Sequence, residues 1–443
     1  MELVNGWLLA AAILIFALLL GFILSERGFV RHGGAHSAAR RLLGLATVMM
    51  FFWLIGFGLM FGESIDGWGV VGWTQFAPDL MEASLTSVSS GTQPSLAFFL
   101  MFQMLMCMLP PILIANAAAD RLRLEGYLLI CMLVSILIYP LLGHWMWGGR
   151  LLGESEGWLA ALGFIDLAGA SVLFSTSGWC TLALLVVLGP RIGRFAEETP
   201  TYTSNRSRPT YLILSALLLW MGWLGLALGN AVLLGKAHMG AIAMNLLLGG
   251  AAGLLAIVPF RMFQNGNLVE TPYLVRGLLA GLVAVSAGAH AFHSQGAIIV
   301  SAVGVCSMLM LDRILLSLKI DDAVGITSIT LGAGIWGSLA VAFMADRTIL
   351  DSGLSVIGQL GAQLMGIFAT GGLSFLTTIL VIGLLDLVFP FRVSLQEELE
   401  GQNNLDTASN LTLWDLPAVE PSPSRTTPLQ QPVPAEDSAS IAS

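Results

Sequence analysis

The sequence predicts an all-α polytopic membrane protein, and three observations predict it. Of 443 residues, 56% are hydrophobic and 11% charged, the mean hydropathy is +0.83, and eleven apolar stretches have the length of a membrane span. A soluble domain carries about a quarter charged residues, so a soluble reading is excluded. A spanning helix takes about 20 residues, so the chain has room for a bundle of eleven. The stretches fall at about 7–24, 42–62, 93–116, 127–146, 158–188, 210–231, 240–259, 277–293, 296–311, 324–344 and 356–390. The first has no basic segment before it and no small-residue cleavage motif after it, so it is predicted to be a span and not a removed leader. The fifth and the last exceed the bilayer thickness and are expected to tilt or extend beyond it.

An odd number of spans puts the two ends of the chain on opposite sides of the membrane. With the N-terminus outside, sixteen of the nineteen basic residues fall in cytoplasmic segments, leaving only Arg150, Lys236 and Arg347 outside. That bias predicts an N-out, C-in orientation in an inner or plasma membrane. Glycines at 249, 250 and 253 in the seventh stretch, and at 277, 281 and 288 in the eighth, predict close helix approach. The formal charge of −9 is concentrated at the end of the chain: from Glu397 onward there are eight acids and one base, Arg425. Residues 1–400 are read as the membrane domain and 401–443 as a disordered cytoplasmic tail, whose last part holds six of the 17 prolines. No basic block suggests a nucleic-acid partner.

The four cysteines have no paired spacing and are read as packing residues. His290 and His293 are spaced to share a helix face or a metal ion, but histidines at a helix end are the simpler reading. Met101, Met104, Met106 and Met108 are read as core and not as a soft-metal path. No metal and no cofactor is expected, and no nucleophile and base pair or phosphate loop suggests an enzyme. The most informative residue is Asp166, a carboxylate inside the fifth stretch, where a buried charge is costly and usually functional. It can serve as a backbone acceptor that props up a helix, as support for a cation site, or as both.

Seven segments carry a resemblance. They are Asp-Leu-Ala-Gly (166–169), Leu-Gly-Pro-Arg (188–191), residues 102–121 with their Pro-Pro pair, His-Trp-Met-Trp-Gly-Gly (144–149), Leu-Trp-Met-Gly-Trp-Leu-Gly (219–225), residues 277–288, and Asp-Asp through Gly-Ile-Trp-Gly (321–337). In their order and spacing along the chain they resemble the ammonium transporter (Amt/Mep/Rh) family over residues 7–400. The resemblance implies eleven spans, with two inverted five-helix repeats and a last long helix, assembled as a homotrimer with a pore in each subunit. It implies ammonium or ammonia as substrate, drawn to an external site by cation–π contact and passed through a narrow hydrophobic pore.

Residue by residue, the resemblance assigns the external site to Trp147, Asp166, Asn230 and Met106. Asn230 stands where the family has a hydrogen-bonding serine. The gate falls on Met106 and Leu226, where the family has stacked phenylalanines. The two pore histidines fall on Phe174 and Thr330, neither of which relays a proton as imidazole does, and Ser286 matches a family threonine near the pore. The segment 391–401 resembles the start of the family's C-terminal region, which implies contact with a neighbouring subunit and a PII-type regulator. Transport through an altered pore is the leading reading. A non-conducting ammonium sensor or assembly subunit, and a channel for another small neutral molecule, are the alternatives.

Overall fold

A computed structural model describes residues 2–400 except 30–34, 66, 81–93, 149–156, 196–206, 266–268 and 351. The acidic, proline-rich tail at 401–443 therefore lies outside the described residues. Eleven apolar helical elements follow one another: α1 (Glu2–Phe29), α2 (Ala39–Phe61), α3 (Leu96–Ala117), α4 (Leu124–Trp147), α5 (Ala170–Leu188), α6 (Pro209–Leu233), α7 (Met239–Phe263), α8 (Thr271–Ser286), α9 (Ser294–Ser317), α10 (Ser328–Met344) and α11 (Val356–Asp386). Among the described residues nine are long and apolar enough to cross a membrane, while α8 and α10 are apolar but shorter. Each falls on one of the eleven stretches read from the sequence.

The fifth stretch departs from expectation. Instead of one long tilted helix over 158–188, it forms a short helix Trp158–Ala161, an irregular turn, and then α5 from Ala170. The sequence explains the break. Gly163 and Gly169 take positive φ of 86° and 78°, a region costly for other L-residues, and Asp166 between them offers the chain a local acceptor in place of the helical ladder. By contrast, α11 is one uninterrupted helix of 31 residues.

The glycines of the seventh and eighth stretches act as predicted. A Cβ at Gly253 would lie 2.4 Å from the carbonyl oxygen of Gly277, and one at Gly281 would lie 2.5 Å from that of Gly249, so α7 and α8 pack backbone against backbone.

The two halves of the bundle repeat one device. Asp166 is followed by Gly169 with φ +78° at the head of α5, and Asp322 is followed by Gly325 with φ +83° before α10. In the first turn the Leu167 amide donates to the carbonyl of Ala287, just past α8; in the second the Ala323 amide donates to that of Ala117, at the end of α3. Each turn leads into a π-helical stretch, Ala170–Ser175 and Ser328–Gly332, and π segments recur at functional sites. The turns lie on opposite faces of the bundle. Asp166 lies on the face where α1 begins, and Asp322 on the face carrying Arg121, Arg191, Arg194 and Arg276.

Candidate functional site

The Asp166 turn is non-helical backbone inside a helical bundle, where every polar group needs a protein partner. Asp166 is buried, 6% exposed. Oδ1 accepts the Ala170 amide at 2.8 Å, and Oδ2 accepts those of Ser171 and Val172 at 2.8 and 3.0 Å. Asp166 thus caps α5, satisfying amides that have no partner within the helix. The Asp166 carbonyl accepts the indole N–H of Trp147, from the end of α4, at 2.9 Å. The Leu167 carbonyl accepts Nδ2 of Asn230, from α6, at 3.0 Å. The Ala168 amide donates to the Ser286 carbonyl. Three of the residues assigned to an external site, Trp147, Asp166 and Asn230, are therefore assembled by one turn. Because Asn230 spends its N–H on the turn, its Oδ1 is the atom left to accept from a donor such as ammonium.

The second cluster lies deeper. Phe174, fully buried in the π-helical start of α5, stacks on Trp223 of α6 with ring centroids 4.5 Å apart and planes 9° from parallel. Trp223 is also fully buried; its indole N–H donates to Ser286 Oγ at 2.8 Å, and that hydroxyl donates to the Leu282 carbonyl at 2.7 Å. Phe22 of α1 also meets Trp223, with ring centroids 6.4 Å apart and planes tilted by 56°. Trp223, Leu226 and Asn230 are spaced i, i+3 and i+7, which puts the stack, a proposed gate position and the amide on one stripe of α6. Leu226 and Met106 are both fully buried. Met106 lies one turn beyond Phe102, and α3 meets α6 where the Phe102 ring lies against Gly229. Thr330, buried in the π segment of α10, donates to the Ile326 carbonyl at 2.8 Å and faces Gly178 of α5.

Sequence reading passed over several of these positions. Trp223 sits inside the quoted motif 219–225, and its i−3 spacing from Leu226 was the available signal. Asp322 was signalled by the repeated pattern of an aspartate three residues before a glycine. Gln359 and Gln363, a buried amide pair on α11, were signalled by their polarity in a long apolar stretch. The His290 and His293 pair does not converge: His290 is 5% exposed, whereas His293 is exposed and contacts Asp346 at 3.2 Å. Among the described residues no group of three or more His, Cys, Asp or Glu could hold a metal ion. Cys107, Cys131 and Cys180 are buried and Cys306 is exposed; all four are free.

The opposite face is built from ions. Asp321 accepts the Arg191 guanidinium at 2.7 and 2.8 Å and the Arg191 amide at 3.0 Å, with Arg121 at 3.4 Å. Burial pushes its carboxyl up, but the hydrogen bonds and charge of Arg191, with the charge of Arg121, outweigh this and hold it down at about 2. A cavity of about 330 Å³ opens there, lined among others by Arg191, Arg276, Asp312, Asp321, Asp322 and Gly325. The chain leaving α11 packs against the same face. Asp386 accepts the Phe391 amide, Arg392 donates to the carbonyls of Leu188, the last residue of α5, and Pro190 just beyond it, and Glu398 accepts the Ile192 amide.

A sequence model described as the Ammonium Transporter Family matches residues 6–409. A Synechocystis relative is 33% identical over 415 residues, covering 93% of this chain and 74% of its own. Ammonium transporter Amt1 of Archaeoglobus fulgidus is 28% identical over 403 residues, covering 89% and 95%. The solved structure of a "Sensor Amt Protein" superposes with a TM-score of 0.82 at 29% identity, covering 91% of this chain and 98% of that one.

Proposed function

The chain belongs to the ammonium transporter family, and from that premise we propose that it is an integral membrane transporter of ammonium or ammonia, and not an enzyme, with the face where α1 begins turned outward. In this reading all eleven helices cross the membrane, and three copies assemble, each with its own pore. The arrangement that carries the reading is the Asp166 turn, which holds an indole and an amide oxygen beside a buried carboxylate at the head of a broken helix. An arriving ammonium ion meets the Trp147 ring face and Asn230 Oδ1, with the Asp166 charge behind them. Met106 and Leu226 bound the way inward.

The Phe174–Trp223 stack crosses the path below that site. An ion entering it would lose its water without gaining polar partners, a cost that a neutral ammonia molecule largely avoids. The pore is therefore read as one that passes ammonia when the stack parts. Ser286 anchors the Trp223 side of the stack, and Phe174 is the side free to swing. The segment Phe391–Glu400, tied to the exit of α5, is the proposed contact for a neighbouring subunit and for a PII-type regulator.

Ammonium pulses applied to proteoliposomes test this, with methylammonium and potassium as comparison ions and empty vesicles as control. Ammonium and methylammonium are expected to give uptake and potassium none. Phe174→Ala is expected to raise the ammonium rate severalfold. An intact trimer that gives no ammonium signal, with Phe174 present or replaced, would sink the transport reading and favour a binder that does not conduct.

A further inference from the structure

The Asp166 turn is held from behind by the last helix. Gln363 of α11 is fully buried, and its side-chain amide engages both backbone groups of Ile165, the residue before Asp166. Oε1 accepts the Ile165 N–H at 2.9 Å, and Nε2 donates to the Ile165 carbonyl at 3.0 Å. The same Nε2 reaches the carbonyl and hydroxyl of Ser338, on α10, at 3.0 and 3.2 Å. One turn earlier, the 3%-exposed Gln359 donates to the Gly163 carbonyl at 2.9 Å. One turn later, Gly366 leaves room for the Phe164 ring; a Cβ there would sit 2.1 Å from it.

A carboxamide is the side-chain group that can accept from an N–H and donate to a C=O of the same residue, as a neighbouring strand would. In a helical bundle this lets non-helical backbone be satisfied without a sheet. Holding Ile165 fixes the backbone that enters Asp166, and the Asp166 carbonyl, whose peptide plane the Leu167 amide ties to Ala287, receives the Trp147 indole. We propose that Gln363, seconded by Gln359, is a positioning residue for the substrate site: it orients the Asp166 turn, and through it the Trp147 ring, without touching the substrate. The proposal rests on the reading of Trp147 and Asp166 as the ammonium site. It places a determinant of affinity on α11, the helix that leads into the C-terminal segment.

The test uses the full-length protein in two formats: ammonium uptake into proteoliposomes, and the ammonium-dependent shift in melting temperature in detergent. Gln363→Leu, similar in size but unable to make either bond, is expected to raise the half-saturating ammonium concentration about tenfold in both formats, with the maximal uptake rate within about twofold of wild type. Gln363→Glu, which keeps an acceptor for the Ile165 N–H, should fall between the two. Gln359→Leu, which loses the bond to the Gly163 carbonyl and the longer one to Gln363 Oε1 but leaves Ile165 held, should shift half-saturation about threefold. A folded Gln363→Leu protein with unchanged half-saturation overturns the proposal, as does a loss of maximal rate alone. Should Gln363→Leu fail to fold, Gln363→Glu decides, and unchanged half-saturation there overturns the proposal equally. A wild type that binds ammonium but does not move it sinks the transport reading while the melting-shift comparison still tests Gln363.

Discussion

The turns at Asp166 and Asp322 are one backbone device set in two environments. Each aspartate caps the helical stretch that follows it, taking amides two to six residues ahead, and each has a glycine in the left-handed region three residues on. Around Asp166 the recorded partners are an indole, three carboxamides and backbone groups, and the carboxylate is buried. Around Asp322, which is only half-buried, lie Asp321 with its arginines, Arg276 against Gly325, and an open cavity. The cap is common to both and so cannot be what makes a substrate site. In the proposed reading the difference lies in what surrounds each turn: an indole and carboxamides suited to a cation on one face, and guanidinium ions paired with the Asp321 carboxylate on the other.

The largest expected effect comes from removing each cap. Asp166→Ala strands three buried amides, each worth ~1–3 kcal/mol, so thermal unfolding in detergent should show a loss of about 3 kcal/mol or more, together with loss of ammonium uptake. Asp322→Ala, which frees three amides beside the cavity that Asp322, Val324 and Gly325 line, should cost less, about 1 kcal/mol. Equal losses would erase the contrast between the two turns.

A smaller effect sharpens the recognition side. Trp147→Phe keeps a ring but removes the N–H that donates to Asp166, and should raise half-saturating ammonium about fivefold in the uptake assay. No change would mean that the ring's orientation does not depend on the turn.

The smallest effect is a pH dependence on the ionic face. The folded-state carboxyl of Asp321 is held at about 2, below its unfolded value, so its stabilisation is fully present above about pH 4 and is lost as pH falls through 2. The melting-temperature gap between wild type and Asp321→Asn should stay constant from pH 7 to 4 and then close. A gap already closed at pH 5 would show that the arginines do not hold the carboxylate.

The same contrast shows what could be read in advance. Asp166 was legible because a carboxylate in an apolar stretch is rare, and Trp147 and Asn230 because they stand inside motifs that resemble a family. Trp223 stood in one of those motifs too, but nothing local distinguishes a tryptophan that packs from one that stacks on Phe174. The fifth stretch reads as one helix because hydropathy averages over its glycines, whereas the backbone breaks at Gly163 and Gly169. Gln363 acts on a residue 198 positions earlier in the chain, a separation over which sequence pattern carries no signal.

The sequence by itself determined the solvent this protein lives in and the order of its eleven apolar helices. Both depend on runs of apolar side chains adjacent in the chain. Only the tertiary structure decided which carbonyl each polar side chain bonds, that Phe174 lies on Trp223, and that α11 holds the Asp166 turn. Those outcomes follow from backbone groups that must find partners where water is absent, and the partners come from helices far apart in sequence.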